Sequence, residues 1–249
     1  MYEGEVLDME GQTIIVLGGA GAVGTAICER LQKEGANVVV ADIKDVLNPV
    51  DLSQEQEVEK FFGQLKKDHP RIHGLVSSVY GGPNKQYEGL HEVRFEEVLE
   101  DIRHTLIAPC RAIKATVEWM RQTGGGRIVV ISSINAHLAL GELGYDIAKA
   151  GLDKFVLEAA LSHARDGIYI FDLAPGTIAP TPAWQGAEQQ KTLEGIRATI
   201  PDHQVTTPHE VAGIVSFLLC DATAVSLIGH PIIADRLWAQ NKVRGGFER

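Results

Sequence analysis

The chain has 249 residues, 45% hydrophobic and 22% charged, enough apolar material for a large globular core and unlike the composition of a disordered chain. A formal net charge of −10, with no run of Lys or Arg, opposes binding to a phosphate backbone or an anionic membrane, so neither nucleic acid nor membrane is an expected partner. No apolar run reaches membrane-span length, the acidic opening MYEGEVLDMEGQ lacks the order of a signal peptide, and the odd count of 3 cysteines (Cys28, Cys110, Cys220) suits a reducing compartment; a cytoplasmic location is expected.

In chain order, TIIVL (13–17) reads as a buried strand and AVGTAICERLQKEG (22–35) as a helix ending on glycine. NVVVAD (37–42) is a strand, SQEQEVEKFFGQLKKDH (53–69) a helix, and IHGLVSSV (72–79) a strand. A long helical region over 95–122 carries an expected interruption at Pro109. Strand GRIVVISS (126–133), helix 145–167 and strand IYIFDLAPG (168–176) follow, then helix PHEVAGIVSFLLCD (208–221) and strand HPIIAD (230–235). Such alternation predicts an α/β fold: one doubly wound, Rossmann-type parallel sheet with helices on both faces, in a single domain spanning 1–249. The segment 177–207, rich in Pro and Gly and carrying Trp184, is too long for a simple connector and reads as a lid or as an irregular surface excursion.

Between the first strand and the first helix lies LGGAGAVG (17–24), with G-x-G-x-x-G formed by Gly19, Gly21 and Gly24. The first glycine is expected to make the tight turn, the second to let backbone approach a pyrophosphate, and the third to let helix pack on strand. The helix N-terminus then offers N–H groups and a positive dipole end to phosphates. Gly18, Gly19, Gly21, Ala22, Val23 and Gly24 are therefore candidate cofactor contacts. Asp42, at the end of the second strand, stands where an acid bonds the ribose 2′-hydroxyl of NAD and repels the 2′-phosphate of NADP, which favours NAD. A bare glycine pattern is weak, and a methyltransferase also carries a glycine-rich first loop with an acid after the second strand.

The glycine loop, the Y-x-x-x-K pair in YDIAK (145–149) and a serine upstream together resemble the short-chain dehydrogenase/reductase family over nearly the whole chain. APGTI (174–178) is similar to the family's Pro-Gly turn, and 207–229 to its penultimate helix and loop. The resemblance implies Tyr145 as general acid/base, with Lys149 lowering its pKa and bonding the nicotinamide ribose, and a serine holding the substrate oxygen. A spacing of thirteen to Tyr145 selects Ser132, whereas the S-x-x-G-like context SINA selects Ser133, which is preferred. Further cofactor contacts implied are Asp51 and Leu52 in VDL, and Pro175, Gly176 and Ile178 in the Pro-Gly turn. The implied activity is NAD(H)-dependent interconversion of a secondary alcohol and ketone of a small molecule. The family also implies a homodimer or homotetramer paired through the helices at 95–122 and 145–165.

Departures from the pattern are several. The family's Asn-Asn-Ala-Gly is replaced by SSVYGG (77–82), its helical asparagine is missing with Thr105 or His104 nearby, and ADRLWAQNK lacks the usual Gly-Gly. IKDVLNPV (43–50) is too short for the usual crossover helix. The lost asparagine and altered SSVYGG leave open a noncatalytic NAD(P)-binding regulator, and GGAGAVG, which also resembles a nucleotide-sugar branch, an NAD-dependent epimerase or dehydratase. His137 is expected at the surface or beside substrate, Trp119 in the core or a subunit contact, and no histidine spacing suggests a metal.

Overall fold

The computed structural model describes residues 8–44 and 48–243; residues 1–7 of the acidic opening and 45–47 of the short crossover lie outside it. Six strands form one parallel sheet in the order β2-β1-β3-β4-β5-β6. They are β1 (Thr13–Leu17), β2 (Asn37–Ala41), β3 (Gly74–Ser77), β4 (Gly126–Ile131), β5 (Ile168–Pro175) and β6 (Pro231–Ala234). The chain therefore belongs to the doubly wound α/β class that its alternating pattern predicts.

Helices α1 (Ala22–Lys33) and α7 (Pro208–Cys220) cover one face of the sheet. The other face carries α2 (Glu55–Asp68), α4 (Ala108–Thr123) and α5 (Leu143–His163). The central strands are buried on both faces, which is why β1 and β3 read as continuous apolar runs instead of alternating ones. At the edges β2 alternates half-buried with buried residues after Asn37, and β6 alternates exposed with half-buried ones. Past β2 the chain makes a single parallel bridge, Asp42 to Pro49, where a further strand would otherwise start.

Two local results depart from the expected elements. The long helix is not interrupted at Pro109 itself: α3 (Phe95–Ile102) runs through a π turn (Arg103–Ile107) into α4. Pro109 has no N–H for the Thr105 carbonyl and its ring would crowd that oxygen, so the wider turn just before it accommodates both. Segment 177–207 is more ordered than a loop, holding α6 (Ala187–Ala198) and a short 3₁₀ turn at Pro182–Trp184. With α8 (Trp238–Val243) it builds a small apolar cluster of Ile134, Ala179, Leu193, Ile200, Val205 and Trp238. Trp184 packs against this cluster and its indole N–H donates to the Ile178 carbonyl at 2.9 Å. Trp119 is 3% exposed, a core residue.

Candidate active site

The sheet order reverses at β1, which pairs with β2 on one side and β3 on the other, and a crevice opens beyond the carboxyl ends of these strands. It is a cavity of about 350 Å³ lined by Gly18, Ala20, Gly21, Asp42, Asp51 and Leu52, by Ser78, Val79 and Tyr80, and by His104 from the π turn. Its floor is set by glycine geometry. Gly18, not Gly19, takes the left-handed conformation at φ 74°, and a Cβ there would stand 2.5 Å from the Ser78 carbonyl oxygen. A Cβ on Gly24 would stand 2.1 Å from the Gly18 carbonyl oxygen, so α1 can start this close to β1 only without one. Gly19, Ala22, Val23 and Gly24 do not line the cavity, and Val23 packs against the core beneath the helix.

Gly21 is the N-cap of α1, no side chain caps it, and it faces the crevice. Uncapped N–H groups at the start of a twelve-residue helix, beside a glycine-lined wall, fit a diphosphate. Asp42 is not a helix cap: its carboxylate accepts from Ala20 N–H at 3.2 Å and Lys44 N–H at 2.9 Å, tying the glycine loop to the end of β2. Asp51 receives Ser53 N–H at 2.9 Å; partial burial works to raise its pKa, but the Ser53 hydrogen bonds and His104 outweigh that and hold it below the usual carboxylate value. These residues fit a dinucleotide. Pro175, Gly176 and Ile178 are not in this cavity; they stand at the carboxyl end of β5, with Ile178 bridged to Thr206.

The chemistry-bearing residues gather at the end of β4 and the first turns of α5. Side chains alternate as β4 runs out, and the two serines part company. Ser132 sends its hydroxyl to the Asp153 carboxylate, not to backbone, while Ser133 faces Tyr145 closely enough to favour its phenolate. Ser133 is locked by Asn135, donating to its Oδ1 at 2.9 Å and accepting its N–H at 3.2 Å. Asn135 also donates to Glu142 at 3.2 Å and Asp146 at 2.7 Å, so the first turn of α5 is bound to the loop that carries the serine. Lys149 is 2% exposed; its ammonium donates to the Ile131 carbonyl at 2.8 Å and lies 5.5 Å from the Tyr145 ring centroid.

Electrostatics alter one expectation. Burial raises the Tyr145 phenol well above its ordinary value, Glu142, Tyr80 and Asp146 push the same way, and Ser133 opposes them. The expected lowering by Lys149 is not among the main effects, because desolvation dominates and Lys149 turns its ammonium to a carbonyl. Burial draws Lys149 itself down to about 8, against the attraction of Asp153 and Asp172. Near the place of the missing helical asparagine, Thr105 donates to the Gly81 carbonyl at 2.9 Å and accepts Gly81 N–H at 3.1 Å, pinning the SSVYGG turn to the π turn.

Asn135, Glu142, Asp153 and Asp172 were not singled out by sequence. Asn135 sits two residues past Ser133, where a side chain can hydrogen-bond back, and that was the one available local signal. Among the described residues no group of His, Cys, Asp and Glu could hold a metal ion, and no helix is long and apolar enough to cross a membrane.

A glycine-floored crevice at the switch point, beside a Ser-Tyr-Lys constellation, defines a dinucleotide-dependent oxidoreductase class. Comparison with known proteins agrees. A family model described as enoyl-(acyl carrier protein) reductase matches residues 18–236, and the chain belongs to the short-chain dehydrogenase/reductase family of oxidoreductases, which use nicotinamide cofactors. It is 26% identical over 230 residues to an acetoacetyl-CoA reductase of Cupriavidus necator, covering 85% of this chain and 92% of that one. An NAD-dependent glycerol dehydrogenase of Listeria innocua is 27% identical over 237 residues, covering 89% and 91%. The fold superposes on a short-chain type dehydrogenase/reductase from Mycobacterium ulcerans with a TM-score of 0.84 at 20% identity, over 94% of this chain and 92% of that one.

Proposed function

We propose that this chain is an NAD(H)-dependent oxidoreductase interconverting a secondary alcohol and a ketone of a small molecule. The carrying observation is the convergence of Ser133 and Lys149 on Tyr145, next to Tyr80, which lines the crevice that holds Asp42. The cofactor supplies the hydride. Ser133 holds the substrate oxygen against the phenol, and Tyr145 moves the proton. Its raised pKa keeps Tyr145 protonated in the free protein, ready to donate to a developing alkoxide, which suits ketone reduction. Lys149 seats the nicotinamide ribose. Asp42 accepts from the 2′-hydroxyl, and its charge rejects a 2′-phosphate, for which Lys44 is the one Lys or Arg lining the crevice among the described residues. The NAD use in the name of the Listeria relative points the same way.

Subunits pair through α4 and α5. Between these helices runs a groove of about 560 Å³ whose apolar wall includes Ile107, Cys110, Val117, Phe155 and Ala159. Sedimentation is expected to give a dimer or tetramer, and a charged residue at Ala159 to yield monomer.

Turnover is tested by following the reduced nicotinamide band with small polyols plus NAD and with 3-oxoacyl thioesters plus NADH. Tyr145→Phe is expected to lower the rate roughly 10²–10⁴-fold while cofactor affinity stays within about twofold. Equal rates in the two proteins would remove Tyr145 from the chemistry.

A further inference from the structure

Beneath Lys149 lies a second polar cluster that the reaction above does not use. Asp172 sits in the middle of β5, 0% exposed, on the face that packs against α5. No donor reaches either of its carboxylate oxygens. The group it meets is another carboxyl, Asp153 of α5, two turns' distance from Tyr145 along the same helix. Asp153 is better provided: the Ser132 hydroxyl donates to it, and His137 Nε2 stands 3.1 Å from its Oδ2, an ion-pair separation without a directed hydrogen bond. Lys149 is the cation that faces both acids from α5. From β4 comes Ser132, from the loop after it His137, and β5 supplies Asp172 itself.

Two carboxylates cannot both stay ionised in contact inside a protein, and an unbonded buried carboxylate is costlier still. One proton resolves both problems. On Asp172 it gives that residue a donor, and the bond it makes to Asp153 leaves Asp153 as the anion. Burial and the neighbouring Asp153 together push Asp172 up to about 8; burial raises Asp153 as well, but Ser132, His137 and Lys149 favour its charged form. The assignment follows the donors: the carboxyl with none keeps the proton.

We propose that Asp153 and Asp172 form a proton-sharing pair whose single negative charge is the counter-ion of buried Lys149, making both of them positioning residues for the catalytic lysine. Lys149 has a carbonyl as its one direct hydrogen-bond partner, and a carbonyl brings no charge. The pair brings one, so ammonium and pair are neutral together at the bottom of the site. Ionisation of Asp172 would add a second negative charge beside the lysine, and His137, 31% exposed, is the point where solvent reaches the cluster. The inference rests on Lys149 belonging to the site proposed above, but its readouts do not depend on turnover.

The test uses the full chain without cofactor. Infrared difference spectroscopy is expected to show one protonated buried carboxyl at pH 6, lost with a midpoint near about 8, and absent from Asp172→Asn at every pH. Asn keeps the shape and the donor toward Asp153, so that variant retains the single charge. NMR titration of ¹⁵N-lysine protein is then expected to place Lys149 at a similar midpoint in wild type and Asp172→Asn. In Asp153→Asn/Asp172→Asn it falls by about one unit or more, a tenfold loss of affinity for the proton. A merely structural pair would leave the lysine midpoint unmoved in the folded double variant, and that result overturns the proposal. So does a carboxyl band that survives in Asp172→Asn. Should the double variant not fold, Asp172→Ala keeps the question open to decision: it must lose the carboxyl band and leave Lys149 charged.

Discussion

The crevice at β1 and the cluster at the head of α5 hold the two halves of one reaction, and they are built on opposite principles. At β1 the backbone decides. Gly18 and Gly24 are required because a Cβ on either would meet a carbonyl oxygen at 2.5 or 2.1 Å, and few side chains take part. At α5 side chains decide, through a chain of hydrogen bonds from Ser133 to Asn135 to Glu142 and Asp146, and from Ser132 to Asp153. Steric exclusion of this kind tolerates no substitution. A side-chain network can instead be adjusted residue by residue, and its electrostatics depend on what is buried beside it.

The largest effect that would break this contrast is expected at Gly24. Gly24→Ala forces α1 away from the Gly18 carbonyl and should cost roughly 3 kcal/mol in urea unfolding, with loss of cofactor binding. Gly21→Ala is the control. Gly21 has an ordinary φ of −75°, and its Cβ would meet only the Gly18 carbonyl at 3.3 Å, so stability should drop by about 1 kcal/mol or less. The added methyl faces the crevice, so cofactor affinity falls while the fold stays. Equal destabilisation by the two variants would mean that backbone clearance is not what shapes this half of the site.

That difference also explains what could be read in advance. The sheet, its helices and the glycine turn follow from apolar period and from a short glycine pattern, both local, and the strands lie within a few residues of their expected bounds. The close approach of Ser78 to Gly18 has no local signal, since Ser78 lies sixty residues further on. Asp153 and Asp172 are nineteen residues apart and meet only because β5 packs under α5; within strand IYIFDLAP the acid breaks an apolar run with no local sign of its partner. Tyr145 and Lys149 were visible as a helical pair, but the rise of the phenol's pKa comes from burial, which a motif does not display. The helices in 177–207 were obscured by Pro and Gly at its start, although their apolar residues Leu193, Ile196 and Ile200 recur at helical spacing.

A middle-sized effect tests the side-chain half through pH. Asp172 has a folded-state pKa raised far above its unfolded value, so the folded chain holds a proton that the unfolded chain releases. The stability linked to that proton is present in full below the unfolded value near pH 4 and is lost as pH climbs toward about 8. Wild type should therefore weaken relative to Asp172→Asn by at most about 1.4 kcal/mol per pH unit in that window. Denaturation midpoints of the two proteins at pH 5, 6 and 7 check it; parallel curves would show that Asp172 is ionised throughout.

The smallest effect carries the backbone rule to a place where sequence already looked wrong. Where the family has Gly-Gly, this chain has Arg236 and Leu237, and both adopt left-handed φ, 55° and 65°. Such a conformation costs a non-glycine residue about 1–2 kcal/mol. Arg236 has compensation, since its guanidinium pairs with Asp202 at 2.6 Å and with Glu210, linking the end of β6 to the 177–207 segment and α7. Leu237 has less, for its side chain is 64% exposed and its N–H is held by Asp235 at 2.9 Å whatever side chain follows. Leu237→Gly should therefore raise stability by about 0.5 kcal/mol, the relief of strain being partly offset by the greater freedom of glycine in the unfolded chain. Arg236→Gly, which gains the same relief but loses two ion pairs, should be close to neutral. If Leu237→Gly instead destabilises the protein, side-chain contacts outweigh φ there, and the case for backbone sterics as the dominant rule must rest on the glycine loop alone.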